Sequence, residues 1–273
     1  MRLAASNIAW PTTHDDEAAQ ILRAAGVTGV EIAPTAYFDE PQGASEAEIR
    51  AIGQQWRDRG FSIVSLQALL YGCHGAAILE GDVPRDLARA RLEAMIRIAA
   101  SWGAHNLVFG SPKARQRGDM EEEQALDIAC EFFQGVAAYA HEHGTCLALE
   151  ANPPAYQCDF ITHVSEALHL VRAVDSPGFR LQIDAAQMTM TSEAVAPTIE
   201  QAAPWINHVH ASEPMLAPLV PNPADTHAAL RAALQEHGYE GWVSLEMRKG
   251  DEPIEALRDS VEALASLYGA SGE

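Results

Sequence analysis

The chain has 273 residues, 48% of them hydrophobic and 21% charged, the composition of an ordinary soluble globular protein. Its formal net charge of −20 repels phosphate backbones and anionic membranes, which argues against nucleic acid or a membrane surface as partner, although a local site can still take a small anion. Cys73, Cys130, Cys146 and Cys158 form no C-x-x-C pair and read as free thiols of a reducing cytoplasm; "MRLAASNIAWPTT" lacks a leader's apolar core, and no run nears the ~18 apolar residues of a membrane span.

In chain order, short β-leaning runs alternate with helix-patterned segments. "RLAASNIAW" precedes the helical "DDEAAQILRAAG", and "VTGVEIAP" precedes "EAEIRAIGQQWRDRG". "FSIVSLQALL" leads to "PRDLARARLEAMIRIAASWG", and "HNLVFGSP" to "MEEEQALDIACEFFQGVAAYAHEHG". The later strand candidates are "CLALEANPP", "FRLQIDAAQ", "INHVHASEP" and "WVSLEMRKG". Gly26, Gly60, Gly103, Gly144 and Gly238 each stand where a helix hands over to a strand, the place a left-handed cap is needed. Eight strands separated by helices predict a parallel sheet, because parallel neighbours need crossover connections. Eight units in this length predict one (β/α)8 TIM barrel spanning residues 1–273. The competing doubly wound sheet lacks the G-x-G-x-x-G expected after its first strand.

In such a barrel, alternate strand residues face inward and the C-terminal strand ends build the site. Strand five then ends on Glu150, strand six on Asp184, strand seven on His210 and strand eight on Glu246. One layer deeper lie Ala148, Gln182, His208 and Ser244, three of them polar where branched apolar residues usually fill a barrel. A single strand-end carboxylate is ordinarily a loop cap or ion-pair partner, and a lone histidine ordinarily a core or rim residue. Four such residues on four consecutive strands differ, since three converging carboxylates repel unless a cation sits among them. One imidazole with three carboxylates suits one divalent ion: manganese, magnesium, cobalt or zinc.

The motifs "LALEANPP", "LQIDAAQ", "HVHASE" and "GYEGWVSLE", within a likeness running from "GVTGVEIAP" nearly to the end, resemble the xylose-isomerase-like TIM barrels, the sugar isomerases and epimerases. The resemblance implies one divalent metal, often manganese, on Glu150, Asp184, His210 and Glu246. It also implies a carbohydrate or cyclitol substrate and assembly as a homodimer or homotetramer. The chemistry implied is proton transfer at a carbon next to a carbonyl through an enediolate, with Glu150 and Glu246 as catalytic acid/base groups on its two faces. Gln182 and His208 would orient the ligands from below.

Two positions depart from that pattern. Gln187 stands where many relatives carry a substrate-binding histidine, so polar positioning remains but titration near neutrality does not. The loop "HASEPMLAPLVPNP" has no arginine. Lys113, Arg115 and Arg248, with Arg117 and Lys249 nearby, fall just past strand ends and are expected to form a locally positive substrate rim; the plainer reading is solvated loop charge. His74, after strand three, is expected at the site mouth or simply on the surface. Glu31 faces inward by alternation and reads as structural. Tyr37, Trp10 and Phe109 are candidate walls for a sugar ring, or core.

Other functions are weighed on the same residues. A metal-dependent dehydratase of a cyclic or acidic sugar derivative, such as an inosose or dehydroshikimate, would suit a basic rim. An apurinic-site endonuclease would use a further metal at Asp225 and His227, but strand four ends without a histidine and the charge opposes DNA. A non-catalytic binding barrel leaves the carboxylate cluster without purpose.

Overall fold

Residues 1–220 and 225–269 are described by a computed structural model of the chain. The strands are β1 (Arg2–Ser6), β2 (Gly29–Ile32), β3 (Ser62–Leu66), β4 (Asn106–Phe109), β5 (Cys146–Glu150), β6 (Phe179–Asp184), β7 (Ile206–Ser212) and β8 (Trp242–Glu246). All are parallel and pair in chain order, and the sheet closes where Arg2 to Ala5 pair with Trp242 to Leu245. The predicted eight-stranded (β/α)8 barrel is therefore the observed one.

Around the barrel run α1 (Asp15–Ala24), α2 (Glu46–Asp58), α3 (Asp82–Trp102), α4 (Glu122–Glu142), α5 (Val164–Val174), α6 (Ala185–Thr191), α7 (Val195–Ala202), α8 (Asp225–Glu236) and α9 (Pro253–Tyr268). Local chemistry sets their ends. Ser45 and Glu48 close a reciprocal capping box at the start of α2, and Gly103 ends α3 in the left-handed conformation at φ 76°. Gly26, Gly60, Gly144 and Gly238 also have positive φ. No helix among the described residues is long and apolar enough to cross a membrane, and the four cysteines are free.

Strand alternation divides the core into two compartments. Leu147 and Leu149 of β5 point out to the helices, where Phe133 of α4 stacks on Phe179 at 4.7 Å and meets Phe109 edge-on at 5.1 Å. Truncating Phe133 to alanine at this junction would cost about 3–5 kcal/mol. Phe109 thus packs in the barrel–helix layer rather than forming a wall for a sugar. Trp10 and Tyr37 are likewise structural, since both donate to Asp15, and Trp56 donates to the Tyr37 hydroxyl.

The barrel interior is polar instead. Buried Asn106 donates to Ser65 at 2.9 Å and accepts from Asn207 at 2.6 Å; His208 pairs with Ser244 at 2.7 Å, and Gln67 with Ser6. These pairings offset much of the cost of burying polar groups there, although the Gln182 side chain is buried without a partner among the described residues. The polar interior replaces the usual branched layers and leads upward to the carboxylates.

Candidate metal centre

Glu150 ends β5, Asp184 ends β6, His210 lies within β7 and Glu246 ends β8. Each offers one ligand atom, and the four atoms lie within 4.8 Å of one another. His210 Nδ1 is 3.2 Å from Glu150 Oε1, 3.3 Å from Glu246 Oε2 and 3.9 Å from Asp184 Oδ2. Donors about 2.0–2.3 Å from a common ion stand roughly 3–4.5 Å apart, so these spacings leave room for one.

The hydrogen bonds divide along the same line. His210 is fully buried, and its Nε2 faces Glu31 Oε1 at 3.0 Å and Oε2 at 3.2 Å. His210 Nδ1 and Glu150 Oε1, by contrast, are buried with no hydrogen-bond partner among the described residues. Two unpartnered ligand atoms facing each other across the cluster, 3.2 Å apart, fit a cation shared between them. Glu150 Oε2 accepts from Asn152 at 2.8 Å, and Asp184 accepts from the Ser212 hydroxyl and from the backbone N–H of Gln187 at 2.5 Å.

Burial dominates the electrostatics. It pushes the Asp184 carboxyl up to about 7, with the charges of Glu150 and Glu246 adding to the rise. Burial also raises Glu246, against the opposing pull of His210. Burial works to raise Glu31, but the charge and hydrogen bond of His210, the charge of His208 and a hydrogen bond from Ser65 hold it below its usual range. His210 is raised well above 6.5: burial works against its charge, but Glu31 and Glu246 prevail. Carboxylates crowded into this state relax when a divalent charge enters.

The cavity above the cluster has a volume of about 190 Å³ and is lined by Glu150, Asp184 and Glu246 together with Gln67, Asn152 and Tyr156. Val108 and Leu216 supply apolar wall, and no lysine or arginine lines it among the described residues. Gly110 fits because a Cβ there would stand 2.6 Å from Glu150 Oε2.

Several expected contacts are placed otherwise. Arg115 is 1% exposed and turns inward to donate to Asn152 Oδ1 and the Ile161 carbonyl, so it backs the site through Asn152 and is no part of a rim. Gln187 is buried, with its amide donating to the Thr162 carbonyl, Thr191 and Glu193; a substrate contact from that NH2 group is already committed to the fold. Arg248 is exposed, and Lys113 and His74 border a neighbouring groove instead of this cavity. The Gln182 side chain makes no hydrogen bond to any of the four cluster residues, and His208 packs edge-on against the His210 ring at 5.8 Å and lies 3.4 Å from Glu31. His227 is buried against Tyr268 at 2.8 Å and Glu213 at 3.5 Å while Asp225 is exposed, so these two do not share a seat for a further ion.

Sequence reasoning missed Ser212, because β7 runs two residues past His210 and ends on it. Asn152 was findable: two residues after Glu150, it returns to the same side of the chain.

The chain matches the xylose isomerase-like TIM barrel family over residues 19–267. No curated protein matches it by sequence. Among solved structures it is similar to D-psicose 3-epimerase in the presence of D-fructose, with a TM-score of 0.81, 16% identity, and 99% of this chain and 100% of that chain covered. It is similar to 3-keto-D-glucoside 4-epimerase from E. coli (TM-score 0.78, 18% identity, 98% of each chain covered). It is also similar to the IOLI protein with a zinc atom bound (TM-score 0.78, 15% identity, 98% of each chain covered). With the family matched along nearly its whole length and the barrel closed as that family requires, the chain belongs to the xylose isomerase-like TIM barrels.

Proposed function

We propose that the chain is a divalent-metal-dependent isomerase or epimerase of a neutral sugar or sugar-like polyol ketone, moving a proton at the carbon next to the carbonyl through an enediolate. The observation that carries this reading is the cluster itself: three carboxylates and an imidazole at the floor of one cavity, with His210 Nδ1 and Glu150 Oε1 left unpartnered. Glu150, Asp184, His210 and Glu246 would hold the ion, manganese in the first instance and magnesium, cobalt or zinc otherwise. Zinc in the IOLI relative supports a divalent ion at such a site, and the sugar epimerases among the relatives support the substrate class. When bound, the metal supplies Lewis acidity that polarises a carbonyl and lowers the acidity barrier of the neighbouring C–H.

The chain's own residues supply the rest. Glu150 and Glu246, from β5 and β8, line one cavity and are the groups to take and return the proton. Transfer on opposite faces of the planar intermediate epimerises; transfer between neighbouring carbons isomerises. The Ser212 hydroxyl and the backbone N–H of Gln187 donate to Asp184 and would orient it as a ligand. Gln67, Asn152 and Tyr156 present hydrogen-bonding groups to hydroxyls, while Val108 and Leu216 restrict water. The lack of lysine or arginine in the lining, with Arg115 withdrawn behind Asn152, favours a neutral substrate over a phosphorylated or acidic one, and so disfavours a dehydratase of an acidic derivative such as dehydroshikimate.

The test is deuterium uptake. Manganese-loaded protein is incubated with a panel of neutral ketoses in D2O and followed by proton NMR. Exchange at the carbon beside the carbonyl, abolished by a chelator and restored by metal, is expected; no exchange with any ketose, or exchange indifferent to the chelator, sinks the reading. We further take the working form to be a cytoplasmic homodimer or homotetramer, on the family resemblance, and sedimentation giving a monomer at micromolar concentration overturns that.

A further inference from the structure

The metal cluster stands at the C-terminal ends of the strands. A second cavity, of about 340 Å³, opens at their N-terminal ends, on the opposite face of the barrel. Arg2, Ser62, Asn106 and Trp242, the first residues of β1, β3, β4 and β8, line it together with Asn207 and His208 near the start of β7. Its volume falls within the ~300–1,000 Å³ of sites for small organic ligands. Arg2 and Ser62 are exposed at the rim, whereas Asn106 is 2% and His208 1% exposed, so the hollow reaches polar groups inside the barrel.

Charge sets the two mouths apart. Three carboxylates line the cavity over the metal cluster. No aspartate or glutamate lines the other one among the described residues, in a chain with 38 acidic residues against 18 lysines and arginines. Glu31 lies 3.4 Å from His208 Nε2 but does not border the cavity. A hollow that carries a cation and no acid, on a protein of net charge −20, is where a small anion is least repelled.

Arg2 is already oriented for such a ligand. Its guanidinium lies over the Trp242 ring, 4.5 Å from the centroid, and forms no ion pair among the described residues. Stacking holds the guanidinium plane and leaves free its N–H edge, the fork that grips two oxygens of one anion. Asn106 and Asn207 add neutral donors. Each NH2 group spends one hydrogen inside the barrel, on Ser65 at 2.9 Å and on Asn106 Oδ1 at 2.6 Å, and keeps a second. The Ser62 hydroxyl stands at the rim beside them. Several donors around one fork suit a phosphate, which offers more acceptor oxygens than a carboxylate.

We infer that the N-terminal mouth of the barrel is a binding site for a phosphate group, free or esterified to a small neutral body, separate from the metal centre. Arg2 takes two of its oxygens, and the two asparagines with Ser62 take the others. The body of an ester lies against Ile63, Val64 and the Trp242 ring. The inference is independent of the reaction proposed above and stands if that reaction is not found.

Inorganic phosphate and glycerol phosphate are each titrated calorimetrically into magnesium-loaded protein, with chloride holding the ionic strength constant, and melting temperatures are recorded in matched samples. One saturable site is expected, with a melting temperature that rises with phosphate concentration. Arg2→Gln should weaken binding at least ~10-fold, and Arg2→Lys should recover part of the loss, since it restores the charge without the fork. Ser62→Glu sets a carboxylate at an exposed rim position and should abolish binding, which decides the matter if Arg2→Gln does not fold. Tighter binding of glycerol phosphate assigns the site to phosphate esters; equal binding assigns it to free phosphate. The absence of a saturable site for either probe overturns the inference. So does binding that survives both Arg2→Gln and Ser62→Glu, which would place the anion at the metal or elsewhere on the surface.

Discussion

Glu31 grips His210 by the nitrogen that points away from the cluster: Nε2 lies 3.0 Å and 3.2 Å from the two carboxylate oxygens, and both residues are wholly buried. With Nε2–H donated downward, Nδ1 is the nitrogen left facing Glu150 and Glu246, free to give its lone pair to an ion once its proton is released. A carboxylate behind a metal-binding histidine fixes its tautomer and raises its basicity. Glu31→Gln keeps the volume but weakens the acceptor, so manganese affinity should fall about 10–100-fold, read by competition with a fluorescent chelator. Unchanged affinity in a folded variant would show that Glu31 only fills the barrel.

A charged group at the cluster sets the second prediction, which concerns the metal-free protein. Asp184 has a carboxyl pushed from its ordinary 3.8 to about 7, and Glu246 is raised as well. Between these values the folded state holds a proton that the unfolded chain has released, so the contribution to stability is complete below about pH 4 and is lost as pH rises toward 7. The metal-free melting temperature should therefore drop across that window relative to Asp184→Asn, which has no such proton to lose. Metal competes with the same proton, so manganese affinity should rise over the same interval. A melting profile identical in the two proteins contradicts the assignment.

The barrel and the four cluster residues were legible in the sequence for a shared reason: both are periodic. Strand alternation puts Glu150 and Ala148, or Asp184 and Gln182, on one face, and helix-ending glycines mark each handover. What alternation does not encode is where a long side chain folds back. Arg115 sits in a short polar loop and reads as rim, yet its guanidinium runs inward to Asn152 and Ile161. Gln187 sits one turn into α6, where its amide finds Thr162 and Glu193, residues distant from any strand end. Glu31 was visible as inward-facing, but its role depends on β2 and β7 facing each other inside the closed barrel with β8 and β1 between them, a relation between elements rather than a local pattern.

Gly110 gives a third prediction. Its backbone conformation suits other residues, but a Cβ would stand 2.6 Å from Glu150 Oε2 and 3.3 Å from Asn152 Oδ1. Glu150's carboxylate ends a flexible side chain, so in Gly110→Ala it should swing aside instead of unfolding the barrel. The Asn152–Glu150 hydrogen bond of 2.8 Å would break with it. Manganese affinity should fall at least ~10-fold while the metal-free melting temperature changes little, and Asn152→Ala should reproduce part of that loss. A large drop in melting temperature with metal affinity retained would mean that the glycine serves the fold and not the site.

The last prediction separates proton transfer from ligation at the two glutamates. Glu150→Gln and Glu246→Gln each keep the side-chain length and one oxygen able to reach an ion, but neither amide can accept a proton. If both glutamates are acid/base groups, each variant should lose at least ~10²-fold in turnover when measured at saturating manganese, with occupancy checked by metal analysis. The two losses should differ in kind. Glu150 is hydrogen-bonded by Asn152, which Arg115 backs, whereas Glu246 faces His210 across the cluster, so the two carboxylates present differently supported oxygens to the substrate. One variant should stop deuterium exchange into one epimer of the substrate pair, and the other variant should stop exchange into its counterpart. Loss of exchange from both epimers in only one variant would assign a single base that serves both faces. Near-normal turnover in both, at full occupancy, would leave the glutamates as ligands alone and move the search for the base to Tyr156, whose side chain borders the same cavity.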